Sequence, residues 1–256
     1  MSRIQRAFEN QKAFVAFFTA GDPDAQHTVQ YVLDAEKAGA AIVQIGIPFS
    51  DPTAEGPVVQ DANIRALRKG MTTDGVFEIV KNVRAHSDVP IVLYSYLNPV
   101  FHCGYETFFK KCADAGVDGI VLPELPFEEK GEVDFIAERH GVDLIAPVVP
   151  GDGQRIQKIA REAKGFVLVQ PPLGMTDIGK ILEVTASAVR AVREAADIPC
   201  VAALEACTVR EAKSASAVFD GVLAQSAMVR IIEESGNQAG EKLCAYVSGM
   251  CASLKS

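Results

Sequence analysis

The chain has 256 residues, of which 48% are hydrophobic and 23% are charged, and its formal net charge is −8 at pH 7. This length suits one large α/β domain, while the negative charge argues against nucleic-acid binding, which needs clustered Lys and Arg. No apolar run is long enough to span a membrane, and residues 1–12 are typical of a short polar helix rather than a secretory signal, so we expect a cytoplasmic protein.

Short apolar runs recur along the chain, and each is followed by a turn and a segment with the periodicity of an amphipathic helix. The predicted strands are residues 14–19, 41–47, 91–95, 120–122, 144–149, 166–170, 200–204 and 222–224. This alternation predicts a single (β/α)8 TIM barrel over residues 1–256, with its site at the carboxyl ends of the strands. Extra helical material is predicted at the N-terminus and after strand two, where helices are expected at 58–68 and 76–86. The irregular stretch 171–179 is interpreted as a mobile lid.

The six cysteines include no Cys-x-x-Cys pair, which favours buried reduced thiols over disulfides or a metal site. No His/Cys/acid spacing suggests a metal ion, and no glycine-rich nucleotide pattern is present. We therefore predict no metal and no cofactor. Of the four histidines, only His102 follows a strand on the active side, which makes it a candidate ligand contact.

The loop after strand two is the first candidate for chemistry. Strand two is apolar apart from Gln44, and it breaks at Pro48 into a loop that carries Asp51 and Glu55. An α/β barrel places its catalytic groups at the carboxyl ends of such strands. Glu55 therefore either takes part in the chemistry of the site or is a solvated loop acid.

Several motifs together resemble the tryptophan synthase alpha subunit family over the full chain. They are FFTAGDP at 17–23, GIPFSDP at 46–52, EGP at 55–57, QDANIRA at 60–66, YLNPVF at 96–101 and LPFEE at 125–129. The resemblance implies a barrel that acts in tryptophan biosynthesis as a carbon–carbon lyase. Such a lyase cleaves indole-3-glycerol phosphate to indole and glyceraldehyde 3-phosphate, and indole passes to a pyridoxal-phosphate beta subunit.

A retro-aldol cleavage needs proton-transfer groups and an anion pocket. By resemblance, the acid–base position on strand two falls on Gln44, the base of the following loop falls on Glu55, and a pocket tyrosine is replaced by Leu168. Gln44 cannot carry a proton. The alternative role for Gln44 is a side chain hydrogen-bonded inside the barrel mouth.

The phosphate site implied by the resemblance also differs, because Asp177, Glu205 and Gln225 stand where the family has glycines. Two carboxylates that face the mouth would repel a phosphate, whereas carboxylates that point into solvent would not. Ser226 would either cap the helix that starts near Ala227 or bind an oxyanion.

The resemblance implies further contacts. The remaining substrate-binding positions are Phe17, Thr19, Tyr96, Glu124, Gly174 and Thr176. The positions that face a beta-type partner are Asp51, Pro52 and Asn98. Glu124 belongs either to the pocket or to the partner-contact network, and turn or capping roles compete for Asp51 and Asn98.

Three hypotheses for function follow. The first is a lyase of the tryptophan synthase alpha type. The second is a divergent homologue acting on a different, non-phosphorylated substrate, with Glu55 and either Glu205 or Asp177 as an acid–base pair. The third is a non-catalytic subunit that regulates a pyridoxal-phosphate beta-type partner.

Overall fold

The computed structural model of the protein describes residues 1–172, 174–205 and 207–255. Within them, nine parallel strands form one sheet, and twelve α-helices accompany it. The strands are β1 (Ala13–Thr19), β2 (Ile42–Gly46), β3 (Ile91–Tyr94), β4 (Gly119–Val121), β5 (Asp143–Leu144), β6 (Ala146–Val148), β7 (Val167–Val169), β8 (Cys200–Leu204) and β9 (Gly221–Ala224). The helices are α1 (Arg3–Arg6), α2 (Ala25–Lys37), α3 (Pro57–Arg68), α4 (Thr73–Arg84), α5 (Leu97–Cys103), α6 (Tyr105–Ala115), α7 (Gly131–Arg139), α8 (Gly153–Glu162), α9 (Ile178–Ala195), α10 (Val209–Ser216), α11 (Ser226–Ser235) and α12 (Gly240–Leu254).

The sheet runs in the order β5-β4-β3-β2-β1-β9-β8-β7-β6. Because β5 and β6 are neighbours in the chain, the polypeptide itself closes the sheet into a barrel. The predicted TIM barrel is confirmed, but one continuous strand over 144–149 is wrong. The strand is interrupted at Ile145, whose N–H donates to the Ile120 carbonyl at 2.8 Å. Pro147 in β6 has no N–H to donate to a ladder.

The strands are buried on both faces, as their continuous apolar sequences predict. Alternate side chains separate into two apolar clusters. Phe17, Ile42 and Leu168 belong to the cluster inside the barrel. Phe14 and Val43 belong to the larger cluster between the sheet and the helices. The barrel interior is therefore a packed core, and any ligand has to bind at its mouth or beside it.

The helix starts follow from capping. α3 begins at Pro57, one residue earlier than predicted, because proline is favoured in the first turn. α4 begins at Thr73 because the hydroxyl of Thr72 accepts a hydrogen bond from the Gly75 N–H. The helix predicted over 1–12 is confined to α1; turns follow it, and Asn10 has a φ of 57°.

All six cysteines are free thiols, as predicted, although Cys103 and Cys244 are only half-buried. In the described part of the chain, no group of three or more His, Cys, Asp or Glu side chains is placed to hold a metal ion. No helix among those residues is long and apolar enough to cross a membrane.

Candidate active site

The candidate site is a cavity of about 230 Å³ at the carboxyl ends of the strands. It is lined by Ala54, Pro123, Val149, Gln170, Pro171, Pro172, Met175, Ala203, Glu205 and Gln225. These residues follow or end strands on both sides of the barrel, which is the face where α/β barrels place their chemistry. We call this space the mouth cavity.

Glu55 lies beside the mouth cavity, one residue after Ala54. Its side chain is only 9% exposed, and one carboxylate oxygen accepts a hydrogen bond of 2.7 Å from the Asn63 amide. Burial raises the pKa of Glu55 to about 7, although the hydrogen bond from Asn63 opposes the rise. The side chain is therefore not a solvated loop acid, and its pKa suits proton transfer near neutral pH.

Two tyrosines border Glu55. The Tyr96 hydroxyl accepts a hydrogen bond of 2.9 Å from the Ala54 N–H. The rings of Tyr94 and Tyr96 meet edge to face, with centroids 6.2 Å apart. Burial, and then the charge of Glu55, raise the pKa of both phenols, so both remain protonated donors. The resemblance predicted Tyr96 but missed Tyr94. Tyr94 lies on β3, and alternation along that strand places its side chain on the inner face of the barrel, which is the signal that would have found it.

Asn63 was also missed as a site residue, although it lies in the QDANIRA motif. It is 3% exposed and belongs to the buried face of α3. Eight residues separate it from Glu55, and the first turns of α3 bring the two side chains together. A buried asparagine on an otherwise apolar helix face is the sequence signal that would have found it.

Gln44 is completely buried in β2. Neither its amide nitrogen nor its amide oxygen has a hydrogen-bond partner among the described residues, and the same holds for the Thr19 hydroxyl. The expected hydrogen-bonded role for Gln44 is therefore not found. In the register, Gln44 lies opposite Phe17 of β1 and Val92 of β3, both members of the inner cluster.

The inner barrel beside Gln44 is filled by side chains. Phe17 is fully buried and meets Tyr94 edge to face at 6.3 Å. A Cβ at Gly46 would lie 2.9 Å from the Phe17 ring, so the glycine makes room for that ring. Leu168, in place of the family tyrosine, is 1% exposed. Phe17 and Leu168 therefore act as packing residues below the mouth cavity.

Of the two carboxylates at phosphate positions, only Glu205 lines the mouth cavity. A Cβ at Gly56 would lie 3.6 Å from both Glu205 oxygens, which places this carboxylate against the loop that carries Glu55. Gln225 lines the same cavity and precedes α11. The polar end of the cavity is thus acidic and amide-bearing.

Asp177 does not line the mouth cavity. It is exposed, and its carboxylate accepts a hydrogen bond of 2.9 Å from the Lys180 N–H at the start of α9. Of the two alternatives for Ser226, the capping role is not found, because Ser226 is already the first residue of α11 and Gln225 occupies the cap position. Of the two alternatives for Asp177, the structure therefore has the one in which the carboxylate is exposed to solvent.

Replacing Asp177 with alanine is expected to lower the free energy of unfolding by about 1 kcal/mol, the usual cost of losing an N-cap. The effect on ligand binding at the mouth should be small, because the carboxylate is turned toward α9. Chemical denaturation measures the first effect, with Asp177→Asn as a control that keeps a capping oxygen. A stability unchanged by both substitutions would contradict the capping role.

The remaining predicted positions lie around the rim. Gly174 and Thr176 are exposed, and Leu173 of the predicted lid lies outside the described residues. Glu124 is exposed and accepts a hydrogen bond from the Leu97 N–H, which links the loop after β4 to α5. His102 is exposed on α5 and does not line the mouth cavity.

The three predicted partner-contact positions remain accessible. Asp51 and Asn98 are exposed, and Pro52 is half-buried. Asp51 accepts a hydrogen bond of 2.5 Å from the Ser50 hydroxyl, so it has a turn role as well.

Fold and site together define a (β/α)8 barrel with a buried acid of near-neutral pKa at its mouth. The sequence model of the tryptophan synthase alpha chain matches residues 4–255, and the chain belongs to that family. The alpha chain of Lacticaseibacillus casei is 40% identical over 240 residues, which cover 93% of this chain and 90% of that protein. The alpha chain of Geotalea uraniireducens is 38% identical over 264 residues, which cover 100% and 99%.

Solved structures of tryptophan synthase alpha chains have the same fold as this chain. The alpha chain of Legionella pneumophila superposes with a TM-score of 0.90 at 29% identity, covering 100% of this chain and 98% of that one. A Pyrococcus furiosus chain has a TM-score of 0.87 at 30% identity, covering 94% and 99%. That structure concerns the structural basis of mutual activation in the tryptophan synthase a2b2 complex of that organism.

Proposed function

We propose that this chain is a carbon–carbon lyase that cleaves indole-3-glycerol phosphate by a retro-aldol reaction, with Glu55 as its proton-transfer group. The observation that carries the proposal is the buried Glu55 carboxylate, oriented by Asn63 and with a pKa of about 7. General acid–base help from such a group is worth about 10²–10⁴-fold in rate. Gln44 does not titrate, so the second proton-transfer group has to come from the phenols beside Glu55 or from solvent.

One observation favours a second candidate, a substrate without phosphate. Glu205 lines the mouth cavity, and none of the residues named above as its lining is Lys or Arg. A carboxylate near a phosphate dianion raises its energy by Coulomb repulsion, whereas a hydroxylated tail would accept hydrogen bonds from Gln225 or donate them to Glu205. The Glu55 chemistry is the same for both substrates.

A partner subunit belongs to the proposal as well. Family membership and the a2b2 complex of the Pyrococcus furiosus relative support association with a pyridoxal-phosphate beta-type chain. The exposed Asp51 and Asn98 and the neighbouring Pro52 are the proposed contacts. A chain that binds and activates such a partner without turnover of its own would act as a regulatory subunit.

The test measures indole release from indole-3-glycerol phosphate and from its dephosphorylated analogue, with and without a beta subunit. Glu205→Gln is expected to lower KM for the phosphorylated substrate several-fold and to leave the analogue almost unchanged, with exposed Glu9→Gln as the control. Turnover of the phosphorylated compound supports the first candidate, and turnover of the analogue alone supports the second. If the chain activates the beta subunit but turns over neither compound, the result supports the regulatory role.

A further inference from the structure

An ion-pair network of three residues joins α3 to two other elements of the barrel. The Nε and one Nη of Arg65 donate to the two carboxylate oxygens of Asp22 at 3.0 Å and 2.7 Å. The other Nη donates to the Glu233 carboxylate on α11 at 3.0 Å. The guanidinium makes all three hydrogen bonds because its N–H donors form a rigid planar fork, which a lysine ammonium lacks. We call Asp22, Arg65 and Glu233 the α3 clamp.

Asp22 is the buried end of the α3 clamp. Only 4% of its side chain is exposed, against 44% for Glu233. A carboxylate removed from water is stable only where close, hydrogen-bonded charge offsets the lost hydration, and Arg65 supplies that charge here. Asp22 lies in the turn after β1, and Lys69 at the end of α3 donates to the Pro23 carbonyl of the same turn. The turn after β1 therefore holds α3 at two points, one helical turn apart.

The helix that Arg65 holds also carries the hydrogen-bond partners of Glu55. Asn63, two residues before Arg65, donates to the Glu55 carboxylate at 2.7 Å. The side-chain amide of Gln60, in the first turns of the same helix, donates to the Glu55 carbonyl at 2.8 Å. Both the side chain and the backbone of Glu55 are thus bound to α3. A displacement of this helix would therefore move the carboxylate with it.

The exposed end of the α3 clamp is connected to the polar end of the mouth cavity. Glu233 lies on α11, whose first residue directly follows Gln225 of the cavity lining. The N–H of Ala227, in the first turn of α11, donates to the Glu205 carbonyl at 3.3 Å. The helix that Arg65 contacts through Glu233 is therefore the helix that adjoins both Glu205 and Gln225.

We infer that Arg65 is a positioning residue for Glu55. By holding α3 between the turn after β1 and α11, it keeps the Glu55 carboxylate buried and at a fixed distance from the polar end of the mouth cavity. The inference rests on the proposed function where catalysis is concerned. Arg65 is not among the residues named above as lining the mouth cavity, so it acts through Glu55 and not by contact with the ligand.

The experiment compares Arg65→Lys, which keeps the charge and removes the fork, with Arg68→Lys, the same change at an exposed position one turn along α3. In Arg65→Lys, kcat for indole release should fall by about 10–100-fold, the size of effect that a small misplacement of a catalytic group produces. KM should stay close to the native value. Carboxyl-carbon NMR of the full chain, labelled at glutamate, should show the pKa of Glu55 moving from about 7 toward 4.5, because a loosened α3 admits water to the carboxylate. Arg68→Lys should change neither.

Glu233→Ala is the second variant in case Arg65→Lys does not fold, because it removes only the exposed contact, and the neighbouring exposed Glu234→Ala is its control. It should shift kcat and the pKa of Glu55 in the same directions by smaller amounts. A native kcat and a native Glu55 pKa in folded Arg65→Lys and Glu233→Ala, even with lowered stability, would show a purely structural ion pair and overturn the inference. The carboxyl titration needs no turnover. A native chain that releases no indole therefore refutes the proposed lyase, while a shifted Glu55 pKa in the two variants still supports the positioning role.

Discussion

Replacing Glu55 with glutamine is expected to lower the rate of indole release by about 10²–10⁴-fold, because the variant keeps the shape of the side chain but can neither accept nor release a proton. KM should change little, since a glutamine still accepts a hydrogen bond from Asn63. With the deprotonated Glu55 carboxylate as the proposed base, kcat/KM should rise with pH through about 7, the pKa that burial gives Glu55. Steady-state kinetics across pH 5–9 measure both effects.

The matched control is Asp61→Asn, which changes an exposed carboxylate on α3, the helix that follows Glu55. It should leave rate and pH profile unchanged. If Glu55→Gln retained full activity, or if its pH profile kept the limb near 7, another group would be the base.

The same carboxyl links stability to pH. Its pKa is raised from 4.5 to about 7 on folding, so the folded state holds a proton that the unfolded state has already released between these values. This contribution is fully present below pH 4.5 and is lost as the pH rises through 7, amounting to about 3 kcal/mol by linkage. Glu55→Gln should remove that pH dependence from the free energy of unfolding.

Gln44→Met is expected to raise the free energy of unfolding by about 1–3 kcal/mol, since it removes two buried polar atoms that have no protein partner and nearly conserves volume. Gln44→Glu should do the opposite, because the site would bury a carboxylate without a cation. Restoring the family's acid is therefore expected to cost stability. Urea unfolding at fixed pH measures both.

Gln26→Met on the exposed surface of α2 is the control, and its effect should stay within about 0.5 kcal/mol. A loss of stability in Gln44→Met would show that the amide has a hydrogen-bond partner in solution. Loss of turnover without loss of stability would instead give Gln44 a role in substrate contact.

The order of the strands could be predicted from the sequence because each strand is a continuous apolar run, and α3 and α4 also carry start signals in Pro57 and Thr72. The interruption of strand five had one signal in the sequence, Pro147, which has no N–H for a ladder. The position of the break could not be predicted, because residues 144–149 are apolar throughout and the break depends on hydrogen bonding to β4. The sequence pattern shows which residues are hydrophobic, whereas the hydrogen bonds between two strands also depend on the neighbouring strand.

Candidate residues that lie in a motif could be identified from the sequence, whereas the orientation of their side chains could not. The position of Glu55 beside the mouth cavity followed from its place in the loop after β2, and its chemical role stays a prediction. The orientations of Asp177 and Glu205 were open alternatives, because a carboxylate after a barrel strand caps the next helix or faces the mouth depending on one backbone turn. Tyr94 was missed because an aromatic residue in an apolar strand is ordinarily core.

The seam between β5 and β6 divides the sheet into two arcs, one from β1 to β5 and the other from β6 to β9. They are joined by covalent continuity at the seam and by a single ladder between β1 and β9. Glu55 and Tyr96 belong to the first arc, whereas Glu205 and Gln225 belong to the second. The space between the acid and the polar residues opposite it therefore spans the two arcs, and within the described sheet only the β1–β9 ladder holds those arcs in register.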